Sequence, residues 1–209
     1  ETAARLLLWM DEDPYGFCFR LEQDLGAVLN KAGLAALVRR VRERFDGASG
    51  ATAEESSRGS MDYARRRWAE VLRALHLAQK DIGAYLGVAE ETGLTAQDCH
   101  AVATMLVARR RPAEALGWVE RGIALEASAS RSSLAGRDLV DLQRKLLQKL
   151  GREQEALESA WAGYRRHPST YTYRELLRFV PKPDRAAWHE RAIEAAAGSD
   201  LHSQIDLLL

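Results

Sequence analysis

Two sixteen-residue segments share one helical pattern, and this repetition constrains the fold more than any other feature of the sequence. RRPAEALGWVERGIAL, at residues 110–125, aligns with GREQEALESAWAGYRR, at residues 151–166, with an offset of 41 residues. In both segments an alanine precedes a glycine by seven residues, which places the two small side chains on nearly one face of a helix. Small side chains let a neighbouring helix approach closely. The pattern therefore predicts helical hairpins that pack against one another.

The rest of the chain also favours helices, because it has only five prolines and no alternating runs of β-branched residues. We expect an all-α fold. Thr95 is predicted to cap a helix with Asp98 three residues on, and Pro112 is expected in a first turn. Gly33 and Gly93 are predicted to end helices, Gly33 in a left-handed conformation. The predicted helices cover residues 2–12, 17–31, 34–45, 62–79, 81–91, 95–110, 112–125, 137–150, 152–166, 172–180, 184–197 and 201–208.

One segment lacks the apolar residues that a packed helix needs. Residues 46–60 read DGASGATAEESSRGS, in which alanine is the only apolar type. Such a composition buries too little surface to offset the entropy of the chain. We therefore predict an N-terminal helical segment over 1–45, a flexible loop over 46–60, and a helical-repeat domain over 61–209.

The second of the two repeated segments resembles the tetratricopeptide repeat. Gly151, Ala156, Gly163 and Pro168 fall at the spacing of that family's turn glycine, packing alanine, second small residue and terminal proline. The resemblance implies antiparallel helical hairpins that stack as a tetratricopeptide-like α-solenoid over the repeat domain.

The chain also departs from the tetratricopeptide pattern at several positions. Gln143 and Arg144 stand where the preceding helix would carry a Leu-Gly pair. In the earlier segment, Arg110 replaces the turn glycine and Ala127 replaces the proline. The offset of 41 residues is longer than the usual repeat of about 34. The resemblance is therefore most specific over the later segment.

A second resemblance covers nearly the whole chain. It rests on an ordered set of motifs: DEDPYGFC, AGLAAL, RRRWAEVLRAL, ARRRPAEALGWVERGIAL and RAAWHERAIEAA. They resemble an uncharacterised bacterial family of helical-repeat domains, some of which are associated with SWIM-type zinc-finger proteins. This resemblance implies no assigned activity and no catalytic residues, and it places any zinc finger outside this sequence. Because the chain begins at Glu1 rather than Met, we expect it to be a fragment.

Charge and cysteine content limit the classes of partner. Lysine and arginine balance aspartate and glutamate at 30 each, so no overall charge draws the chain to nucleic acid or to an anionic membrane. The two cysteines, Cys18 and Cys99, lie far apart, which favours a reducing compartment. No apolar run reaches the roughly 18 residues that span a bilayer, and the first residues lack the basic lead and long apolar centre of a signal peptide. We expect a cytoplasmic protein without membrane contact.

The sequence offers little for catalysis or metal binding. Asp98, Cys99 and His100 are consecutive, but adjacent residues on a helix point about 100° apart and cannot all ligate one ion. No CxxC, HxxxH, GxSxG or glycine-rich phosphate loop is present. We expect Cys99 to be a small core residue. The chain is therefore predicted to be non-enzymatic, with no metal and no cofactor.

The resemblance to tetratricopeptide repeats implies a place for a ligand. In such stacks the first helix of each hairpin lines a concave groove, so the inward positions are counted back from the packing alanine. Their mixed charges argue against a basic groove for a peptide carboxyl terminus. An ordinary solvated face is the alternative interpretation. The candidate groove residues are Gln97, His100, Thr104, Asp138, Asp141, Lys145 and Gln148.

Arginine clusters suggest a second function. Most of them fall at predicted helix C-termini, where cations interact favourably with the helix dipole. Arg65, Arg66 and Arg67 instead lie near a helix start and form a candidate nucleic-acid patch. We expect a module for protein–protein or intramolecular interaction, whose partner is an unknown protein or an upstream part of the same chain. An accessory nucleic-acid-binding module is the alternative.

Overall fold

A computed structural model describes residues 2–12, 21–48, 55–128 and 134–196. These residues form eleven α-helices and one short 3-10 helix, and they contain no strand. The prediction of an all-α fold is confirmed for this part of the chain. The helices are α1 (Thr2–Asp11), α2 (Leu21–Val28), α3 (Lys31–Gly47), α4 (Glu55–Gln79), α5 (Ile82–Thr92), α6 (Ala96–Ala108), α7 (Pro112–Ser128), α8 (Leu134–Lys149), α9 (Glu153–Arg166), α10 (Thr170–Leu177), a 3-10 helix (Lys182–Asp184) and α11 (Arg185–Ala196).

The predicted start signals of two helices are confirmed. The backbone N–H of Asp98 donates to the Thr95 hydroxyl at 3.2 Å, and the backbone N–H of Thr95 donates to the Asp98 carboxylate at 2.9 Å. This reciprocal pair is the capping box expected before α6. Pro112 is the first residue of α7, where its missing N–H has no role in the helix.

The two predicted helix-ending glycines have different outcomes. Gly93 follows α5 with a φ of 93°, as expected of a residue that ends a helix. The prediction for Gly33 is wrong, because Gly33 lies in the first turn of α3. Its backbone N–H donates to the side chain of Asn30 at 2.8 Å, so Asn30 starts a helix where the sequence suggested an end. The helix expected over 201–208 lies outside the described residues.

The turns at the start of the two repeated segments have the same backbone conformation. Arg110 adopts a φ of 59° and Gly151 a φ of 74°, so both take the left-handed conformation that glycine favours. A non-glycine residue thus fills the turn position in the earlier segment. The following amide in each turn donates to the carbonyl five residues back, at 3.0 Å from Arg111 to Leu106 and at 2.9 Å from Arg152 to Leu147.

The chain divides into two compact units, unit 1 (1–105) and unit 2 (106–209). In unit 1, α3 packs against α4, and α1, α2 and α5 pack against this pair. Phe45 of α3 and Trp68 of α4 belong to one hydrophobic core, although they lie on opposite sides of the predicted flexible loop. Of that loop, residues 49–54 lie outside the described part, and α4 already begins at Glu55.

Unit 2 is built from consecutive helices that pack in order. Helix α8 packs against both α7 and α9, and α10 packs against α9. Leu157, Tyr164 and Leu176 form a core with Ala192 of α11. The Tyr164 hydroxyl donates to the carbonyl of Ala192 at 2.7 Å, which ties α9 to α11.

Candidate functional site

A cavity of about 650 Å³ lies in unit 2 and is lined by residues of α7, α8, α9 and α10. Its size falls within the range of about 300–1,000 Å³ that ligand sites have. Ile123, Val140 and Tyr164 give it apolar walls, Tyr171 contributes a second ring, and Arg144 contributes a guanidinium. The cavity therefore combines an apolar lining with a cationic group, an arrangement typical of binding sites.

Arg144 is the buried charge of this cavity, with only 8% of its surface exposed. Its Nε donates to the Ser159 hydroxyl at 3.2 Å, and its Nη2 donates to the Ser159 carbonyl at 3.0 Å. A guanidinium carries five N–H donors in a rigid plane. Ser159 therefore fixes one edge of the guanidinium and leaves donors on the Nη1 side.

Two acidic residues neighbour this guanidinium. Asp141 lies 3.6 Å from Nη1, which is an ion-pair contact too long for a hydrogen bond. Glu175 also lines the cavity, and it forms an ion pair with Arg178 at 2.7 Å. Burial lowers the pKa of Arg144, while the charges of Asp141 and Glu175 act to raise it. Among the described residues, no carboxylate forms a hydrogen bond with this buried guanidinium.

Gly163 makes the position of Arg144 possible. A Cβ at residue 163 would lie 2.7 Å from Nη2 of Arg144, closer than such atoms approach. The tetratricopeptide resemblance assigned this small residue to helix packing, but in this structure the space beside it holds a guanidinium. Ala103 of α6 lies 41 residues before Arg144, so the helix before the earlier segment has no arginine at the corresponding position.

The model of the DUF6880 family, a family of unknown function, matches residues 1–208. The chain belongs to this family. No curated protein and no solved structure matches it significantly. The match agrees with the uncharacterised family suggested by the sequence motifs, and it assigns no activity to the cavity.

The cavity of this DUF6880 chain includes one of the predicted groove residues, Asp141. His100 is half-buried in α6, where its carbonyl accepts from the Thr104 hydroxyl at 2.9 Å. The other predicted groove residues are exposed and lie outside the cavity lining: Gln97, Thr104, Asp138, Lys145 and Gln148. Sequence reasoning missed Arg144 and Gly163, although an arginine in a glycine position of the repeat was a visible signal.

The candidate nucleic-acid patch is only partly exposed. The guanidinium of Arg65 lies 4.9 Å from the ring centre of Phe45, a cation–π contact against the core. Arg67 donates to the carbonyl of Met10 at 2.5 Å, and Arg66 is exposed. Two of the three arginines therefore hold helices of unit 1 together. A nucleic-acid role of the patch stays a prediction.

The acidic residue of the Asp98–Cys99–His100 run takes part in a buried network of unit 1. Asp98 accepts from the Tyr85 hydroxyl at 2.9 Å and forms an ion pair with Arg73, also at 2.9 Å. Burial, followed by the charge of Asp98, raises the pKa of Tyr85. Cys99 is fully buried, as expected of a core residue. These contacts give Asp98 a structural role.

The described residues contain neither a metal site nor a membrane-spanning helix. No group of three or more histidine, cysteine, aspartate or glutamate side chains lies close enough there to hold a metal ion. Within the same residues, every helix is too short or too polar to cross a membrane. The cavity of unit 2 is therefore the site from which we argue a function for this DUF6880 chain.

Proposed function

We propose that this DUF6880 chain is a non-enzymatic interaction module whose unit 2 binds a polypeptide segment in the cavity. The segment comes from a partner protein or from another part of the same chain. The proposal includes hairpins that stack as a tetratricopeptide-like α-solenoid, since the turns at Arg110 and Gly151 have one backbone form. It also includes a cytoplasmic setting, in line with a sequence whose two cysteines lie far apart.

The observation that carries the proposal is the buried Arg144 in an otherwise largely apolar cavity. Apolar walls with a few fixed polar groups provide affinity and orientation at once. Tyr171, which lines the cavity and is 60% exposed, supplies an aromatic surface of the type that is enriched at protein interfaces. A cavity of about 650 Å³ accommodates a few side chains of a bound segment.

We propose a non-enzymatic module because the buried polar side chains already have structural or binding contacts. In unit 1, Asp98, Tyr85 and Arg73 contact one another and stabilise the packing of α4, α5 and α6. In unit 2, the cavity presents a guanidinium held by Ser159, which suits recognition of a bound group. We therefore assign the polar groups to structure and binding.

A selection from a library of random short peptides tests the proposal on the full chain. Ala127 lines the cavity near the end of α7 and is exposed, so Ala127→Trp would obstruct the cavity at little cost to folding. Ala124 is exposed on the same helix and lies outside the cavity lining, which makes Ala124→Trp the matched control. We expect the selected peptides to bind Ala127→Trp at least about tenfold more weakly, and Ala124→Trp unchanged.

Either of two results would refute this function. Failure of the library to yield any binder would remove the basis for a peptide-binding module. Binders with equal affinity for the two tryptophan variants would place the interaction away from the cavity. Circular dichroism of both variants checks that the helices are intact, so that a loss of binding reports on the cavity.

A further inference from the structure

We propose that the bound segment presents a single carboxylate side chain, from glutamate or aspartate, to Nη1 of Arg144. This inference rests on the proposed function and names the chemistry of the partner. It differs from recognition of a peptide's carboxyl terminus, because the group recognised lies within the segment. The following contacts carry it.

The first argument is the unequal use of the donors of Arg144. Ser159 accepts from Nε and Nη2, at 3.2 Å and 3.0 Å. Among the described residues, Nη1 has no acceptor within hydrogen-bond distance, and its one ion-pair contact is to Asp141 at 3.6 Å. Nη1 is not among the fully buried side-chain atoms that lack a partner, so water reaches it in the free protein. An acceptor that enters the cavity would therefore meet two available N–H groups of Nη1.

The second argument is that the acceptor should be charged. Burial lowers the pKa of Arg144, which means that the surroundings do not fully stabilise its positive charge. A carboxylate forms shorter and stronger hydrogen bonds with a guanidinium than a neutral amide does. The gain is larger in a site from which water is displaced. A carboxylate thus fits this donor better than a neutral side chain.

The third argument concerns the two lining acids whose charges act on Arg144. Glu175 is engaged by Arg178 at 2.7 Å, and the side chain of Asp141 is 33% exposed, so water also stabilises it. Neither carboxylate forms a hydrogen bond with Nη1. An incoming carboxylate can therefore accept from the Nη1 donors of the guanidinium without breaking a hydrogen bond between protein groups.

The fourth argument limits the number of acidic groups to one. The cavity lining contains three arginines and three acidic residues, so their formal charges cancel. Of the arginines, only Arg144 is buried, while Arg137 and Arg166 are exposed to solvent. Exposed charges contribute little to affinity. Recognition therefore depends on one contact, and additional acidic residues in the segment would add little.

Two capped peptide libraries test this inference on the full chain. Ac-XXXEXXX-NH2 and Ac-XXXQXXX-NH2 differ only in whether the central side chain is glutamate or glutamine, and their caps remove the terminal charges. X excludes aspartate and glutamate. Affinity selection with mass spectrometry measures how much of each library the protein retains. We expect about tenfold greater retention of the glutamate library, the ratio given by one hydrogen bond to a charged group.

Three variants assign the preference to Arg144. Arg144→Met removes the charge, and Gly163→Ala displaces the guanidinium, since the added Cβ would lie 2.7 Å from Nη2. Gly117→Ala is the matched control, because a Cβ at that helical position meets nothing within 4 Å. We expect the glutamate preference to vanish in the first two variants and to persist in Gly117→Ala.

The outcomes separate this inference from the proposed function. Equal retention of the two libraries by the wild-type protein, with binding sensitive to Ala127→Trp, would overturn the inference and leave the function standing. A glutamate preference that persists in Arg144→Met would overturn the inference as well. Retention of neither library would overturn the inference together with the peptide-binding function.

Discussion

The sharpest prediction for the folded state concerns Gly163→Ala. In most helices this change stabilises by up to about 1 kcal/mol, because glycine loses more backbone entropy on folding than alanine does. At residue 163 the new Cβ would lie 2.7 Å from Nη2 of Arg144, so the guanidinium must shift, and we expect this shift to weaken its hydrogen bonds with Ser159. A hydrogen bond from a charged group contributes about 1.5–3 kcal/mol. We expect Gly163→Ala to lower the free energy of unfolding by about 1 kcal/mol, the difference between these opposing effects.

A double-mutant cycle isolates this contact. Apart from the backbone of α9, the described atoms within 4 Å of a Cβ at residue 163 all belong to the guanidinium of Arg144, so in an Arg144→Ala background the same change should stabilise by about 1 kcal/mol. The coupling energy is then about 2 kcal/mol, as expected of two side chains in contact. Urea denaturation followed by circular dichroism measures all four proteins. Equal stabilisation by Gly163→Ala and Gly117→Ala in the wild-type background would refute the reasoning.

Three further predictions concern pH, a buried ion pair and a helix cap. Burial lowers the pKa of His76 in the folded protein, so the free energy of unfolding should fall as pH decreases below about 6.5. The fall should be smaller in His76→Leu, and identical pH profiles of the two proteins would contradict this. Asp98→Asn should destabilise unit 1 by about 3 kcal/mol in urea denaturation, because Arg73 loses its partner, and no loss would refute the network. Ser169→Ala should cost about 1 kcal/mol by the same assay, since Ser169 caps α10; an unchanged midpoint would exclude that role.

Much of the helical framework follows from local signals in the sequence. The capping box of Thr95 and Asp98 and the first-turn Pro112 act through neighbouring residues, so a reader of the sequence can place them. Gly33 shows where local reasoning fails. The side-chain amide of Asn30 caps the start of α3 at a place where the sequence predicted the end of a helix. The sequence offers Gly33 as a helix end and Asn30 as a helix start, and only the backbone conformation decides between them.

The candidate site was less accessible to sequence reasoning. Counting along a repeat gave seven candidate positions, and the cavity lining includes one of them, Asp141. It did not identify Arg144, because a long side chain can point to solvent or reach into a cavity according to the space across from it. That space depends on Gly163, nineteen residues away and on another helix. A contact between two helices of this kind requires the three-dimensional structure.

One measurement tests the central claim most directly: the NMR signal of the Arg144 Nε–H group in the ¹⁵N-labelled full chain. Arg144→Lys assigns the signal by its disappearance. Titration with the best-retained Ac-XXXEXXX-NH2 peptide should shift it and slow its exchange with water, while the matched glutamine peptide should leave it nearly unchanged. A peptide that binds without affecting this signal would contradict the assignment of the cavity around Arg144 as the binding site.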